Sequence, residues 1–318
     1  MTSFGYFLAT EEFTPAQLLQ QARWAEDAGF TRLAVSDHFH PWNDAQGNSP
    51  FVWSVIGALS QAVDLPVTTL VTCPTVRLHP VVTAQAAATS SVLLGGRFAL
   101  GVGTGEALNE HVHGDRWPAF DERAEMLEEA VEVMRMLFTG RQISHRGRHY
   151  TVDNARLYTA PEEPLPILVS GFGPKAADLA GRIGDGFVTM GPDEEAIGRF
   201  RDAGGTGKPV VGGLKVCWDQ DREAAVETAY RLWPTEHLPG ELNQVLPTPA
   251  HFEQASELVT RRHVSEGVPC GADTDEHVDA IRAYVDAGFD EVYIGQIGQN
   301  QEDFFAAYRE KILPAFPG

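Results

Sequence analysis

Residues 97–110 read Arg97-Phe98-Ala99-Leu100-Gly101-Val102-Gly103-Thr104-Gly105-Glu106-Ala107-Leu108-Asn109-Glu110. Arg97–Val102 is an almost continuously apolar run, the mark of a strand buried on both faces of a parallel sheet. It ends in a glycine-rich turn that carries a carboxylate. The same unit recurs along the chain. Strands are predicted at Gly5–Ala9, Arg32–Ser36, Val67–Thr72, Pro166–Ser170, Gly186–Met190, Val210–Val216 and Glu291–Ile294, which makes eight with the first. Helical patterns separate them at Thr14–Ala28, Phe51–Ala62, Pro80–Leu94, Asp121–Leu137, Lys175–Ile183, Glu194–Ala203, Glu223–Leu232 and Thr274–Ala287. The first has an N-cap (Thr14), a proline at its first position (Pro15) and a glycine stop (Gly29). Alternation of this kind predicts a (β/α)8 TIM barrel, read as one domain over residues 1–318. Two stretches exceed the repeat. Gly140–Pro164 contains the alternation Arg148–Val152 and reads as a hairpin insertion. Pro234–Gly271 reads as a long insertion after strand seven, of the sort that covers a barrel's site.

Composition narrows the function. The chain has 318 residues, three widely spaced cysteines and a formal net charge of −20. Cys73, Cys217 and Cys270 form no paired motif and suit a reducing compartment. The N-terminus has no basic region ahead of an apolar stretch, and no run approaches a membrane span. A cytoplasmic protein is therefore expected, with neither nucleic acid nor an anionic membrane as partner. An anionic small molecule remains possible through local donors.

Barrel chemistry sits at the C-terminal ends of the strands. Glu11 and Glu12 follow strand one, Asp37, His38, His40 and Trp42 follow strand two, and Cys73 follows strand three. Thr104, Gly105, Glu106 and Asn109 follow strand four, Phe172, Gly173, Lys175 and Ala176 follow strand five, and Met190 and Asp193 end strand six. Carboxylates, a histidine, a tryptophan and glycine turns thus converge on one face. Gly171–Gly173 ahead of a helix start also offers backbone N–H groups to a phosphate. Each signal alone has a plain structural reading: Asp37 as a cap, a strand-end histidine as a hydrogen-bonding residue, Trp218 and Trp233 as packing, His79 as a helix start.

The segments Val35–Trp42, Gly101–Glu110 and Ala180–Phe187 resemble the bacterial luciferase-like superfamily. The closer resemblance is to its coenzyme F420 branch, typified by the F420-dependent glucose-6-phosphate dehydrogenases. The resemblance implies hydride transfer between F420 and the carbinol carbon of an alcohol. It implies His38 as the base for the hydroxyl proton and Trp42 beside the reacting carbon. It implies Glu106 as proton donor to the deazaflavin ring and Glu11 as a carboxylate acting with His38. Asp37, Val71, Cys73, Thr104, Gly105, Asn109, Phe172, Gly173, Lys175 and Ala176 match cofactor-contacting positions. A non-proline cis peptide is implied near Leu70–Val71, and the apolar second and third helices match surfaces through which this branch forms homodimers.

The departures concern the substrate. The family's threonine is replaced by Cys73. Its sugar-phosphate positions read Met190, Asp193 and Gln254, which would form the substrate pocket, and no arginine stands near Val264–Cys270. A phosphate dianion needs positive partners to offset its desolvation, so glucose 6-phosphate is not expected as substrate. A non-phosphorylated alcohol or sugar is. The alternatives are an F420H2-dependent reductase of a ketone, imine or alkene, an FMN-dependent monooxygenase of the same superfamily, and a barrel that only binds. A fourth is a metallohydrolase built on the pairs His38-x-His40 and His111-x-His113, though no further ligands end the later strands and no metal is expected.

Overall fold

In a computed structural model of the protein, residues 1–316 are described. Eight parallel strands close into a barrel: β1 (Ser3–Leu8), β2 (Arg32–Val35), β3 (Val67–Thr69), β4 (Phe98–Val102), β7 (Ile167–Ser170), β8 (Gly186–Thr189), β9 (Val210–Val216) and β10 (Glu291–Gln296). Around the ring the order is β1-β10-β9-β8-β7-β4-β3-β2. The remaining pair, β5 (Ile143–Arg146) and β6 (Thr151–Ala155), is an antiparallel hairpin. The helices are α1 (Pro15–Ala28), α2 (Val52–Leu59), α3 (Pro80–Leu93), α4 (Ala107–Glu110), α5 (Phe120–Phe138), α6 (Pro174–Ile183), α7 (Glu194–Phe200), α8 (Arg222–Leu232), α9 (Leu242–Val245), α10 (Pro249–Ser256), α11 (Arg261–Gly267), α12 (Thr274–Asp286) and α13 (Gln301–Ala307). The (β/α)8 barrel and both insertions are therefore where the sequence pattern put them.

The inner core is small and layered. Ala34, Leu168, Val188, Val211 and Tyr293 fill the barrel, with Phe7, Leu70, Val71 and Ala99 against them. Gly101 leaves room where two strands meet, since a Cβ there would lie 2.0 Å from the Thr69 carbonyl oxygen. The larger core lies between strands and helices. Caps fix the helix starts: Thr14 and Gln17 form a capping box on α1, and Asp193, Asp221 and Asp273 accept backbone N–H groups at the starts of α7, α8 and α12.

Three details depart from the sequence reading. A helix, α13, follows β10 and completes the eighth βα unit. Its Phe304 and Phe305 join an aromatic cluster with Tyr6, Phe30 and Tyr308. The stretch 234–271 carries three short helices, α9 to α11. The hairpin is hung on α5 by two carboxylates: Glu129 accepts the backbone N–H groups of Arg148, His149 and Tyr150, and Glu125 pairs with the Arg148 and His149 side chains. Tyr150 then donates to the Thr75 carbonyl, 3.1 Å, and ties the hairpin to the loop after β3.

Candidate active site

At the C-terminal mouth, the turns after β1, β2 and β4 are joined by a buried polar network. Glu11 Oε1 lies 3.3 Å from His38 Nε2. Its other oxygen accepts from the Ser36 hydroxyl at 2.6 Å, and Ser36 is also bonded to Thr10. On the far side of the ring, Asn109 Nδ2 lies 3.0 Å from His38 Nδ1, and the His40 carbonyl lies 3.2 Å from the same nitrogen. Both ring nitrogens of His38 are thus engaged, Nε2 by the Glu11 carboxylate and Nδ1 by the Asn109 amide and the His40 carbonyl.

Asn109 is the strut between two turns. Its Oδ1 accepts from the N–H groups of Phe39 and His40, 2.8 and 3.1 Å, and its amide nitrogen reaches Glu106 at 3.5 Å. Trp42 stands against His38, with centroids 5.0 Å apart, and Phe252 of α10 meets the other side of the indole edge-on at 5.1 Å. The long insertion therefore supports the tryptophan beside the histidine.

Beside this network opens a cavity of about 410 Å³, within the usual range for small-ligand sites of roughly 300–1,000 Å³. Of the residues matched to cofactor contacts, Val71, Thr104, Gly105, Phe172, Gly173, Lys175 and Ala176 line it, together with Glu106. The Leu70–Val71 peptide is cis, at the bond the resemblance indicated. Gly173 has open space where a Cβ would stand, and Phe172 is 61 % exposed at the rim. Lys175 and Ala176 begin α6, whose first N–H groups have no intrahelical acceptor. The far wall comes from Phe120 and from Gly240, Glu241 and Gln244 of the insertion. Those residues carried no individual signal in the sequence.

Three matched positions stand behind the cavity lining. Asp37 spends its oxygens on the Thr72 hydroxyl and the Arg77 guanidinium, 2.7 and 2.8 Å. Cys73 is buried, with Sγ 2.9 Å from the Thr75 hydroxyl, and burial pushes its thiol well up. It lies under Gly105, whose φ is +79° and whose Cβ would come within 2.6 Å of that sulfur. Asn109 is the strut already described. These residues shape the turns that a ligand would touch. The substrate positions are also dispersed. Asp193 caps α7 and Gln254 is exposed on α10, while Met190 extends into the space left by Gly213.

Two further carboxyls back the site. Glu12 accepts from Trp233 Nε1 at 2.9 Å and from the Gly298 N–H at 2.6 Å, and burial pushes it up to about 7. Glu110 accepts from the Arg77 N–H at 2.7 Å, and burial raises it to about 7 even though the Arg77 cation pulls the other way. His40 and His111 bind the Leu108 and Ala107 carbonyls through Nδ1, and among the described residues no cluster is arranged to hold a metal ion.

A closed (β/α)8 barrel with a histidine–carboxylate pair beside a glycine-lined cavity has the form of a cofactor-dependent barrel enzyme. The chain matches the luciferase-like monooxygenase family over residues 2–291. It is 37 % identical to the F420-dependent glucose-6-phosphate dehydrogenase of Nakamurella multipartita, covering 98 % of this chain and 95 % of that one. It is also 37 % identical to the enzyme of the same name from Microbacterium testaceum, covering 98 % and 96 %. A solved F420-dependent secondary alcohol dehydrogenase, in complex with an F420-acetone adduct, superposes with a TM-score of 0.92 at 30 % identity, covering 100 % of this chain and 99 % of that one. The chain belongs to the luciferase-like monooxygenase family and, within it, to the F420-dependent branch.

Proposed function

We propose that this protein is an F420-dependent dehydrogenase that moves a hydride between the cofactor and the carbinol carbon of a non-phosphorylated alcohol or sugar. The observation that carries the reading is the chain Glu11–His38–Asn109–Glu106, which links a base for the substrate hydroxyl to a carboxylate on the cavity wall. The cavity suits F420. Val71 and the glycine turns offer a flat apolar wall, and the start of α6 with Lys175 offers donors to an anionic tail. Bound F420 supplies a carbon centre that accepts or returns a hydride. The protein's part is proton handling and exclusion of water. His38 takes the hydroxyl proton of the alcohol, and Glu11 stabilises the resulting imidazolium at Nε2. Glu106 holds or delivers a proton at the cavity wall, and Trp42 with Phe252 closes the substrate side against solvent. Run in reverse, the same residues protonate the product of a carbonyl reduction.

A phosphorylated sugar does not suit the site. Asp193 is committed to a helix cap and Gln254 faces solvent, so neither offers a cation to a phosphate. On the outer surface Phe51, Val82, Val92 and Leu93 of the α2 and α3 region are about half exposed, which favours a homodimer. The three free, buried cysteines accord with a cytoplasmic setting. The test is to titrate purified protein with oxidised F420 and with FMN, then follow loss of deazaflavin absorbance with a panel of alcohols. F420 should bind more tightly and be reduced by neutral alcohols or sugars. Preference for FMN, or turnover of glucose 6-phosphate above all neutral substrates, overturns the reading.

A further inference from the structure

One cation in the barrel mouth has no part in the chemistry above. Lys215 lies on β9, two and four residues beyond Gly213 and Val211. Val211 belongs to the inner barrel core, and side chains alternate along a strand, so Gly213 and Lys215 face inward too. The Lys215 ammonium stands 4.1 Å over the Trp233 ring and 5.5 Å over the Phe7 ring. Its partner is Glu236 of the insertion, at 2.6 Å. The lysine side chain is 11 % exposed and the glutamate 34 % exposed, so the pair is reachable but largely out of water. Trp233 in turn donates to Glu12, the neighbour of the Glu11 that touches His38. A donor and acceptor pair on an aromatic platform therefore adjoins the proton network, on the side of the mouth away from the glycine-lined cavity.

We propose that Lys215 and Glu236 are specificity-determining residues that bind the vicinal hydroxyls of an uncharged sugar or polyol. This rests on the dehydrogenase reading and names its substrate class. A vicinal diol offers one hydroxyl to accept from Lys215 and one to donate to Glu236, so neither charge loses a partner. An anionic substrate would meet the Glu236 carboxylate. A cationic one would meet Lys215. A purely apolar alcohol would strip water from the ion pair and return nothing.

The experiment compares wild type with Lys215→Met, Lys215→Arg and Glu236→Gln, all loaded with F420, on glucose, galactose, sorbitol and 2-propanol. Wild type should favour at least one of the polyhydroxylated substrates over 2-propanol by about ten-fold or more in kcat/KM, as sites built to bind a hydroxyl do. Lys215→Met should cut kcat/KM for that substrate at least about ten-fold more than for 2-propanol, mainly through KM, and Lys215→Arg should recover part of the loss. A wild type that prefers 2-propanol overturns the proposal. So does a Lys215→Met variant that loses both activities equally along with thermal stability, which is the behaviour of a simple latch between β9 and the insertion. Failure to bind F420 is read separately, in the cofactor titration. In that case calorimetry of glucose, galactose and sorbitol against the same proteins decides: binding by wild type that Lys215→Met abolishes supports the pair, and no binding by wild type overturns it.

Discussion

The two walls of the barrel mouth are made of different material. The wall after β3, β4 and β7 is largely backbone: Val71, Gly103, Thr104, Gly105 and Gly171 to Gly173 line it, and the side chains that shape it stand one layer behind. The wall after β1 and β2 is side chain, with Glu11, Ser36, His38 and Trp42 locked to one another. A large planar ligand needs close backbone approach, which glycine turns allow. A proton relay needs titratable groups held at fixed distances. The division of labour predicts that damage to one wall alters catalysis and damage to the other alters cofactor binding.

The largest expected effect comes from the side-chain wall. His38→Ala removes the proposed base and should lower kcat by about 10²–10⁴-fold, the usual worth of a positioned acid or base. Affinity for F420 should change far less, which fluorescence titration of the cofactor checks. Equal losses in the two quantities would show that the walls are not separable.

A second comparison lies in the carboxyls behind each wall. Glu12 backs the side-chain wall and Glu110 backs the glycine turn, and burial raises both to about 7. Between the ordinary carboxyl pKa and about 7 the folded state binds more protons than the unfolded chain, so stability falls as pH rises through that window and levels off above it. Each pKa unit corresponds to about 1.4 kcal/mol, so the melting temperature should drop measurably between roughly pH 5 and 7.5. Glu12→Gln and Glu110→Gln should each flatten part of that slope. A melting temperature that climbs over the same range would contradict the burial argument.

The backbone wall has its own test. Gly105→Ala places a Cβ against the Cys73 sulfur at a positive φ, a cost of about 1–3 kcal/mol. Adding Cys73→Ala should relieve the contact with the sulfur but leave tight approaches to the Glu110 Cγ and the residue-73 Cβ, 3.0 and 3.2 Å, together with the dihedral penalty of about 1–2 kcal/mol. Denaturant melts and F420 affinity of the single and double variants separate the two parts. Full recovery in the double variant would mean the left-handed turn matters less than the space beneath it.

The backbone wall was also the more legible in the sequence. An apolar run ending in Gly103-Thr104-Gly105-Glu106 announces a buried strand and a ligand-facing turn, because both depend on local residue type. The eight strands share that property. What was not legible depends on long-range meetings. Asn109 looked like a ligand contact, yet its amide joins residues some seventy positions apart. Lys215 sits one residue from the end of a predicted strand and gains meaning only from Trp233 and Glu236. Helix α13 was missed because seven residues, three of them polar and first in line, carry too few turns for a helical period to stand out. The short helices of the insertion escaped for the same reason.

The insertion closes the backbone wall, and its hold there gives the smallest expected effect. Gln244 of α9 lines the cavity and also accepts from Arg123 of α5 at 2.8 Å. The same guanidinium lies 4.4 Å over the Trp117 ring and donates to the Pro118 carbonyl. Gln244→Ala removes one charge-assisted hydrogen bond, worth about 1.5–3 kcal/mol at most when buried and less where water can replace it. Arg123 keeps its other partners, so the fold should hold. The expected result is a several-fold faster release of F420 with kcat for a good substrate little changed, measured by stopped-flow displacement. A variant that loses kcat but keeps the cofactor as long as wild type would place Gln244 with the proton relay, and the line between the two walls would have to be redrawn through the insertion.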